Sequence, residues 1–188
     1  MLPKSIVNIF CFDTCKFFNY QIGEYKNQPV QIAPYYNSQY QVVAQHIRFP
    51  NKDFIWLGDM DEVNLFGQHK WKPGGKMITI TEGEVDAMSV SKVQGNKWPV
   101  VSVPSGAKSA KKYLKKNLEY LESFENVILM FDNDDAGNQA SIECAQLFTP
   151  KKALISKLPM KDANEMLVSN RGKDIIHHIW NARPYTPE

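Results

Sequence analysis

From residue 76 onward, short apolar runs alternate with longer helical stretches, and this alternation limits the folds that the chain can adopt. The short runs predict strands at residues 77–81, 100–103, 127–131 and 153–156. The stretches between and after them predict helices near residues 86–93, 109–122, 136–148 and 173–180. Strands and helices in alternation indicate an α/β fold with a mainly parallel sheet flanked by helices.

Before residue 75 the segments are shorter, more aromatic and interrupted by turns. The sequences YQIGEY, PVQIAPYY and YQVVAQHIRF predict strands, and DTCKFF predicts a short helix. The breaker KPGGK then separates this part from the alternating one. We therefore expect a small α+β N-terminal subdomain at residues 1–75, an α/β domain at 76–180 and the start of a linker at 181–188.

Composition argues against a disulfide-stabilised protein, a zinc protein and a membrane protein. The 188 residues include 22 basic and 20 acidic ones, so any nucleic-acid-binding surface must come from local clustering rather than from net charge. Cys11, Cys15 and Cys144 do not have the spacing of a disulfide framework or of a zinc site. The sequence has neither a membrane-length apolar run nor a convincing signal peptide, so we expect a soluble intracellular protein without zinc or a membrane partner.

Two groups of acidic residues follow the first and third predicted strands of the α/β part. Glu82 comes directly after the first of these strands and Asp86 lies four residues later, while Asp132 and Asp134 follow the third. Asp132 and Asp134 are two residues apart, so an extended backbone turns both side chains to one side. Ligand sites of open α/β sheets collect outside the carboxyl ends of strands, and we therefore expect both groups to meet there.

Carboxylates gathered at one edge raise one another's pKa values unless a cation neutralises them. Oxygen ligands without nearby histidine or cysteine favour magnesium or manganese over zinc. Helix capping is the alternative, because acidic side chains accept hydrogen bonds from backbone N–H groups at helix starts. Four acids stand at predicted helix starts: Glu84, Asp86, Asp134 and Asp135. Capping accounts less well for Glu82 and Asp132, which follow strands.

These acidic segments resemble the motifs of a known fold family. TEGEVDAMS and FDNDDAG are similar to the glutamate–glycine and DxD motifs of the TOPRIM fold, which primases, type IA and II topoisomerases and some nucleases share. LFGQHKW, VPSGA, LPMKDANE and IWNARPYTP extend the resemblance to the primase half of podovirus bifunctional primase–helicases, whose mitochondrial relative is Twinkle. The resemblance is specific from residue 65 onward and diffuse before it.

The resemblance implies a DNA primase, an RNA polymerase domain that makes short RNA primers on single-stranded DNA from ribonucleoside triphosphates during DNA replication. By position, Glu82 corresponds to the family's catalytic glutamate, and Asp132 and Asp134 correspond to its metal-binding aspartates. Asp86 and Asp162 correspond to further acidic positions of the metal site. The implied cofactors are two divalent ions, Mg²⁺ or Mn²⁺. Glu82 can serve either as a metal ligand or as a proton acceptor.

Nucleotide and template need positive charge, which the chain supplies locally. GAKSAKKYLKKNL places five lysines on one helix, opposite an apolar stripe: Lys108, Lys111, Lys112, Lys115 and Lys116. A solvated helix face is the alternative for the last two. Arg48 and Lys52 resemble basic positions that the family uses on nucleotide or template, and Lys161 joins this predicted binding set. His46 departs from the family pattern, because the related phage primase carries lysine there.

The family also implies further domains, and other functions stay open. Its primases have a separate N-terminal zinc-binding domain and a C-terminal hexameric helicase domain, which we expect elsewhere in the full-length protein. The expected location is the host cytoplasm for a phage protein, or the mitochondrial matrix or another organelle for a Twinkle-like one. The alternatives are a TOPRIM metal-dependent nuclease and a catalytically silent single-stranded-DNA-binding module of a replicative helicase. Silent modules tend to lose acids such as Glu82, Asp132 and Asp134, which this chain retains.

Overall fold

Two β-sheets organise residues 12–186, the part of the chain that this computed structural model describes. Helix α1 (Phe12–Phe18) precedes the first sheet, as the sequence DTCKFF predicted. The first sheet is antiparallel, and its strands lie side by side in chain order: β1 (Gln21–Tyr25), β2 (Gln28–Tyr36), β3 (Val42–Arg48) and β4 (Phe54–Gly58). The N-terminal part is therefore a small α+β unit.

The second sheet is mainly parallel, and its strand order is β6-β5-β7-β8-β9. Four of its strands run parallel: β5 (Gly75–Thr81), β6 (Val100–Ser102), β7 (Phe124–Met130) and β8 (Ala153–Ile155). The two-residue strand β9 (Arg183–Pro184), which lies in the segment predicted to begin a linker, pairs antiparallel with β8. This architecture confirms the predicted α/β fold.

Helices connect and follow the strands of the second sheet. They are α2 (Glu84–Val93), α3 (Ala107–Lys116), α4 (Leu118–Glu122), α5 (Asp135–Ala145), α6 (Ala163–Val168) and α7 (Gly172–Trp180). A single-turn 3₁₀ helix, Gln68–Lys70, leads into the sheet. Within residues 12–186, none of the helices combines the length and the apolar character that crossing a membrane requires.

The central strands β5 and β7 form the middle of the core. The last five residues of β5 and the last four of β7 are buried, because helices cover both faces of a parallel sheet. This double burial explains why both strands appear in the sequence as nearly continuous apolar runs rather than as alternating ones. Their carboxyl ends then expose polar residues at one edge of the sheet.

Three helix and strand predictions were incomplete or wrong. The helix predicted at residues 109–122 is two helices, α3 and α4, which meet at Asn117. The buried Asn117 side chain donates a hydrogen bond to the Tyr113 carbonyl across 2.9 Å, and this local bond competes with helical continuation. Sequence patterns also missed β4, an edge strand with exposed apolar residues, and the six-residue helix α6.

Direct contacts join the N-terminal unit to the second sheet. Phe66 and Ser102 form an antiparallel bridge, with N–O distances of 2.9 and 3.2 Å. Lys116 Nζ donates to the carbonyl oxygens of Asp61 and Val63 across 2.6 and 2.8 Å. The buried Phe66 ring also lies against Phe18 and Tyr35, which places one continuous core beneath both parts.

Candidate functional site

The carboxyl ends of β5 and β7 bring Glu82 and Asp132 to the same edge of the sheet. The two strands are hydrogen-bonded neighbours: Thr81, one residue before Glu82, lies opposite Met130, two residues before Asp132. Glu82, Asp86 and Asp132 line one cleft of about 420 Å³. The structure therefore brings together three of the four acids that the strand-end argument grouped, whereas Asp134 does not line this cleft.

The acids repel one another in this cleft. Burial, followed by the charges of Glu82 and Asp162, raises the pKa of Asp132 to about 6. Burial and the charge of Asp162 raise the pKa of Asp86 to about 8, although its carboxylate accepts the Asn164 backbone N–H across 2.9 Å. Burial is the larger cause of both pKa shifts, and the charges of the neighbouring carboxylates add to it.

One basic side chain counters this repulsion. Lys161 Nζ lies 3.6 Å from Asp132 Oδ2, and the nearby carboxylate raises the pKa of Lys161. The lysine side chain is 60% exposed, so solvent screens the pair. Lys161, which the sequence predicted to bind nucleotide or template, lies beside Asp132 and offsets only part of the negative charge.

The acidic edge suits a hard divalent cation electrostatically. Glu82 Oε2 is buried and has no hydrogen-bond partner among the described residues, and an unpartnered buried carboxylate oxygen is costly. Gly106, at φ 72°, lets its loop approach so closely that an added Cβ would lie 3.3 Å from Glu82 Oε1. Within residues 12–186, however, no three His, Cys, Asp or Glu side chains form a group that could hold one metal ion.

Asp134 and Asp162 both cap helices, a role that the sequence left open for Asp134 and did not predict for Asp162. Asp134 caps α5 by accepting the Gly137 N–H across 2.9 Å, and Asp162 caps α6 by accepting the Glu165 N–H across 2.7 Å. Both carboxylates nevertheless act on Asp132, since each raises its pKa. Helix capping and proximity to the acidic edge therefore coexist at these positions.

A glycine fixes the position of Asp132. A Cβ on Gly137 would lie 2.2 Å from the Asp132 carbonyl oxygen, a distance that real side chains do not tolerate. The first turn of α5 can therefore pack directly against the end of β7 only because residue 137 has no side chain. The motif FDNDDAG therefore combines acidic residues with a glycine, Gly137, that close packing requires.

The N-terminal sheet forms the opposite wall of the cleft. His46, Arg48, Lys52 and Phe54 line it, so the predicted basic residues Arg48 and Lys52 do face the acidic edge. The His46 ring stacks on Trp56, with 4.3 Å between ring centroids. Positive and negative side chains therefore occupy facing walls of one cleft.

Glu84, which sequence reasoning treated as a helix-start residue, joins the two walls. Its Oε1 atom accepts the Tyr35 hydroxyl and lies against His46 Nδ1, each at 2.7 Å. Burial alone would raise the pKa of Glu84, but the hydrogen bond and electrostatic attraction from His46, together with the Tyr35 hydroxyl, lower it. The only feature of the sequence that could have pointed to this contact was the second glutamate of TEGE.

The predicted basic helix lies outside this cleft. Lys108 and Lys111 line a separate groove of about 220 Å³ between α3 and α5. Lys112 is exposed, and its Nζ lies over the Tyr113 ring at 5.5 Å from the centroid. Lys116 does not extend a free basic surface, because its ammonium group is bonded to the two backbone carbonyls described above.

Comparison with known proteins matches both parts of the chain. The Toprim-like family matches residues 79–167, and the N-terminal α+β fold of the bacteriophage T7 DNA helicase/primase matches residues 8–58. The DNA helicase/primase of Enterobacteria phage T3 is 41% identical over 176 residues, which cover 94% of this chain and 31% of that protein. The chain thus spans about a third of the length of the phage T3 protein.

Two solved structures are similar over most of the chain. The primase fragment of the bacteriophage T7 primase–helicase superposes with a TM-score of 0.84 at 39% identity, covering 89% of this chain and 70% of the fragment. A T7 complex of lagging-strand DNA polymerase with primase domains bound to an RNA/DNA hybrid contains a chain with a TM-score of 0.88 at 39% identity, covering 94% and 89%. This chain therefore belongs to the bacteriophage T7-type DNA helicase/primase family and corresponds to its primase region.

Proposed function

We propose that this chain is the RNA-polymerising core of a DNA primase, which joins ribonucleotides into short primers on single-stranded DNA. The observation that carries this proposal is the cleft in which Glu82, Asp86 and Asp132 face Arg48 and Lys52. A nucleoside triphosphate carries negative charge at one end and a reactive phosphorus near it. Basic groups on one wall of the cleft can bind the negative charge of the triphosphate, and divalent cations held at the acidic edge can activate the reactive phosphorus.

The acidic residues are proposed to hold the metal ions and to assist proton transfer. Toprim primases generally use divalent metal ions, and we propose Mg²⁺ or Mn²⁺, two ions, held by Glu82, Asp132 and Asp134 with Asp86 and Asp162 beside them. When bound, such ions neutralise the triphosphate and acidify the attacking hydroxyl. Glu82 Oε2, buried and without a partner among the described residues, is available either as a ligand of such an ion or as the acceptor of the proton of the primer 3′-hydroxyl.

The basic residues bind the nucleic acid and the nucleotide. Arg48 and Lys52 contact the triphosphate from the N-terminal sheet, and Lys161 lies next to Asp132 at the same site. Lys108, Lys111 and Lys112 are exposed on α3 and offer phosphate contacts for the single-stranded template. Phosphate contacts of this kind position the template without reading its sequence.

The full-length protein is also a matter of proposal. The relatives are phage DNA helicase/primases, of which this chain spans about a third. We propose that a zinc-binding domain reads the template and that a hexameric helicase domain moves along it, both within the same polypeptide. A phage protein of this kind acts in the cytoplasm of the host cell.

The test is extension of an RNA primer already annealed to single-stranded DNA, with labelled ribonucleotides and Mg²⁺ or Mn²⁺. A supplied primer removes the need for the template-reading domain. We expect Asp132→Asn and Glu82→Gln to lower product formation by about a hundredfold or more. The exposed Glu119→Gln on α4 serves as the matched control and should retain wild-type activity.

Three outcomes would contradict the proposal. Unchanged synthesis by Asp132→Asn and Glu82→Gln would show that the acidic edge is not the site. Cleavage of the template instead of primer extension would assign a nuclease. Binding of single-stranded DNA by wild type, with no extension of the primer under either metal, would assign a catalytically silent DNA-binding module.

A further inference from the structure

Glu84, the first residue of α2, lies between the two parts of the molecule and is largely buried there. Its side chain is 16% exposed, although it belongs to the first turn of α2. Oε1 accepts the hydroxyl of Tyr35, on β2, and lies 2.7 Å from Nδ1 of His46, on β3. One carboxylate oxygen therefore bonds two strands of the N-terminal sheet to the helix that follows Glu82.

Helix capping does not explain this arrangement. The N-cap position of α2 is Gly83, which has no side chain with which to cap, and the two partners of Glu84 lie 49 and 38 residues earlier in the chain. Burying a carboxylate is costly unless donors compensate for the lost water. The fold accepts that cost at a position two residues from Glu82.

His46 is held on several sides by this contact and by aromatic rings. Glu84 fixes its Nδ1, Trp56 stacks on its face at 4.3 Å, and the Phe54 ring meets it edge-on at 5.1 Å between centroids. The ring lines the cleft that also contains Glu82 and Asp132. Its other nitrogen, Nε2, is buried and has no hydrogen-bond partner among residues 12–186.

A buried ring nitrogen without a partner is rare, and a ligand is one explanation for it. The ring cannot turn away to find another partner, because Glu84 and Trp56 hold it. Arg48 and Lys52, which the proposed function assigns to the triphosphate, line the same cleft as His46. A nucleotide in this cleft would therefore pass within reach of Nε2.

We infer that Glu84 is a positioning residue for nucleotide binding: it holds His46 so that Nε2 contacts the nucleoside triphosphate, and it holds the N-terminal sheet over the catalytic edge. This inference rests on the proposed primase function and adds to it a residue that contacts no substrate itself. It also gives His46 a purpose at a position where the related phage primase carries lysine.

The test compares two replacements of similar size. Glu84→Leu preserves volume but removes the acceptor, whereas Glu84→Gln retains a carbonyl oxygen that can accept from both Tyr35 and His46. In primer extension we expect Glu84→Leu to raise the KM for ribonucleotide about tenfold while kcat stays within about threefold. Glu84→Gln should restore KM to within about threefold of wild type, because the geometry of the acceptor is preserved.

The partners provide a second measurement. If Tyr35 and His46 act through Glu84, then Tyr35→Phe and His46→Leu should add little to the KM effect in a Glu84→Leu background, although each raises KM alone. Tyr35→Phe combined with Glu84→Leu also removes the unpaired hydroxyl, and it keeps the test usable if the single variant folds poorly. Thermal unfolding of each variant shows whether it is folded.

An unchanged KM in folded Glu84→Leu would overturn the inference. It would also fail if Glu84→Leu and Glu84→Gln lowered kcat equally with KM unchanged, since that pattern belongs to a role in the chemical step. Failure of the proposed function gives a different result: wild type then neither extends a primer nor binds ATP in equilibrium dialysis with Mg²⁺. A wild type that extends primers while Glu84→Leu matches it refutes the positioning role alone.

Discussion

Asp86 Oδ1 accepts the backbone N–H of Asn164 across 2.9 Å, so the first acidic motif is bonded directly to the segment KDANE. The two residues are 78 positions apart, and the bond joins the first turn of α2 to the first turn of α6. The same carboxyl group feels the charges of Asp162, Asp132 and Glu82, and its pKa is raised to about 8. Asp86 is therefore both a structural link and the most strongly perturbed acid of the cleft.

We expect Asp86→Asn to stabilise the metal-free protein. The folded-state pKa lies above the ordinary value of 3.8, so wild type loses stability as the pH rises from there to about 8. Asparagine keeps an oxygen for the Asn164 N–H and removes the repelling charge. Urea unfolding in EDTA at pH 8 should show a gain of about 1–3 kcal/mol that shrinks toward pH 4. Equal stability at pH 8 would contradict this account, and primer synthesis should fall in either case.

His69 should make the protein less stable in mild acid. Burial, and then the charge of Lys70, lowers its pKa from 6.5 to about 4, so the folded state favours the neutral ring. Neither ring nitrogen has a partner among the described residues, and the ring stacks on Tyr36 with 3.7 Å between centroids. Stability should therefore fall as the pH drops from 6.5 toward 4, by roughly 1 kcal/mol after allowance for partial exposure. In urea unfolding, the His69→Phe variant should not show this loss of stability between pH 6.5 and 4. An identical dependence of the free energy of unfolding on pH in both proteins would refute the prediction.

Two neighbouring lysines should behave differently on replacement. Lys116 Nζ donates to the carbonyl oxygens of Asp61 and Val63, whereas Lys115 is exposed on the same helix. We expect Lys116→Ala to lower the free energy of unfolding by about 1–2 kcal/mol, because two carbonyl groups lose a charged donor. Lys115→Ala should change it by less than about 0.5 kcal/mol. Equal effects in chemical denaturation would show that the contact with Asp61 and Val63 is not a stabilising one.

The binding of single-stranded DNA should depend on other lysines of the same helix. Lys111→Ala and Lys112→Ala remove exposed charges and leave the core unchanged. If these lysines contact template phosphates, each replacement should reduce the slope of log affinity against log salt by about 0.7. Fluorescence anisotropy with an oligonucleotide at several salt concentrations measures that slope, and Glu119→Gln is the control. An unchanged slope would assign α3 to a solvated face.

Gly137→Ala should damage both stability and activity. The added Cβ would lie 2.2 Å from the Asp132 carbonyl, so α5 must move away from the end of β7. Overpacking of this kind costs about 1–3 kcal/mol, and it displaces a residue of the acidic edge. Thermal unfolding and primer extension measure the two effects, with the exposed Gln139→Ala on α5 as control. Wild-type activity in Gly137→Ala would mean that primer extension does not depend on the position of Asp132.

The features that could be predicted are those that local pattern and sheet topology determine. Buried parallel strands are continuous apolar runs, and their carboxyl ends share an edge, so Glu82 and Asp132 could be placed together before the structure was known. Capping was an open alternative for Asp134, because a helix start and a site edge coincide there. Whether Asp134 also binds metal stays a prediction.

The features that could not be predicted depend on contacts distant in the chain. Glu84 meets Tyr35 and His46 only because the N-terminal sheet packs over α2, and no periodicity within either segment encodes that packing. The edge strand β4 is short and half exposed, so its pattern resembles a loop. The break at Asn117 arises from a side-chain hydrogen bond that competes with a helix of otherwise good composition.

The shared carboxylate of Glu84 has a consequence for recombination between related proteins. A chimera that takes its first 58 residues from one relative and the remainder from another would inherit the residues at positions 35 and 46 from one parent and residue 84 from the other. If the parents differ at these positions, each half can fold correctly while the hydrogen bonds between positions 35, 46 and 84 are lost. Between parents that differ at these positions, exchange of the N-terminal sheet should therefore succeed only when the three positions are exchanged together.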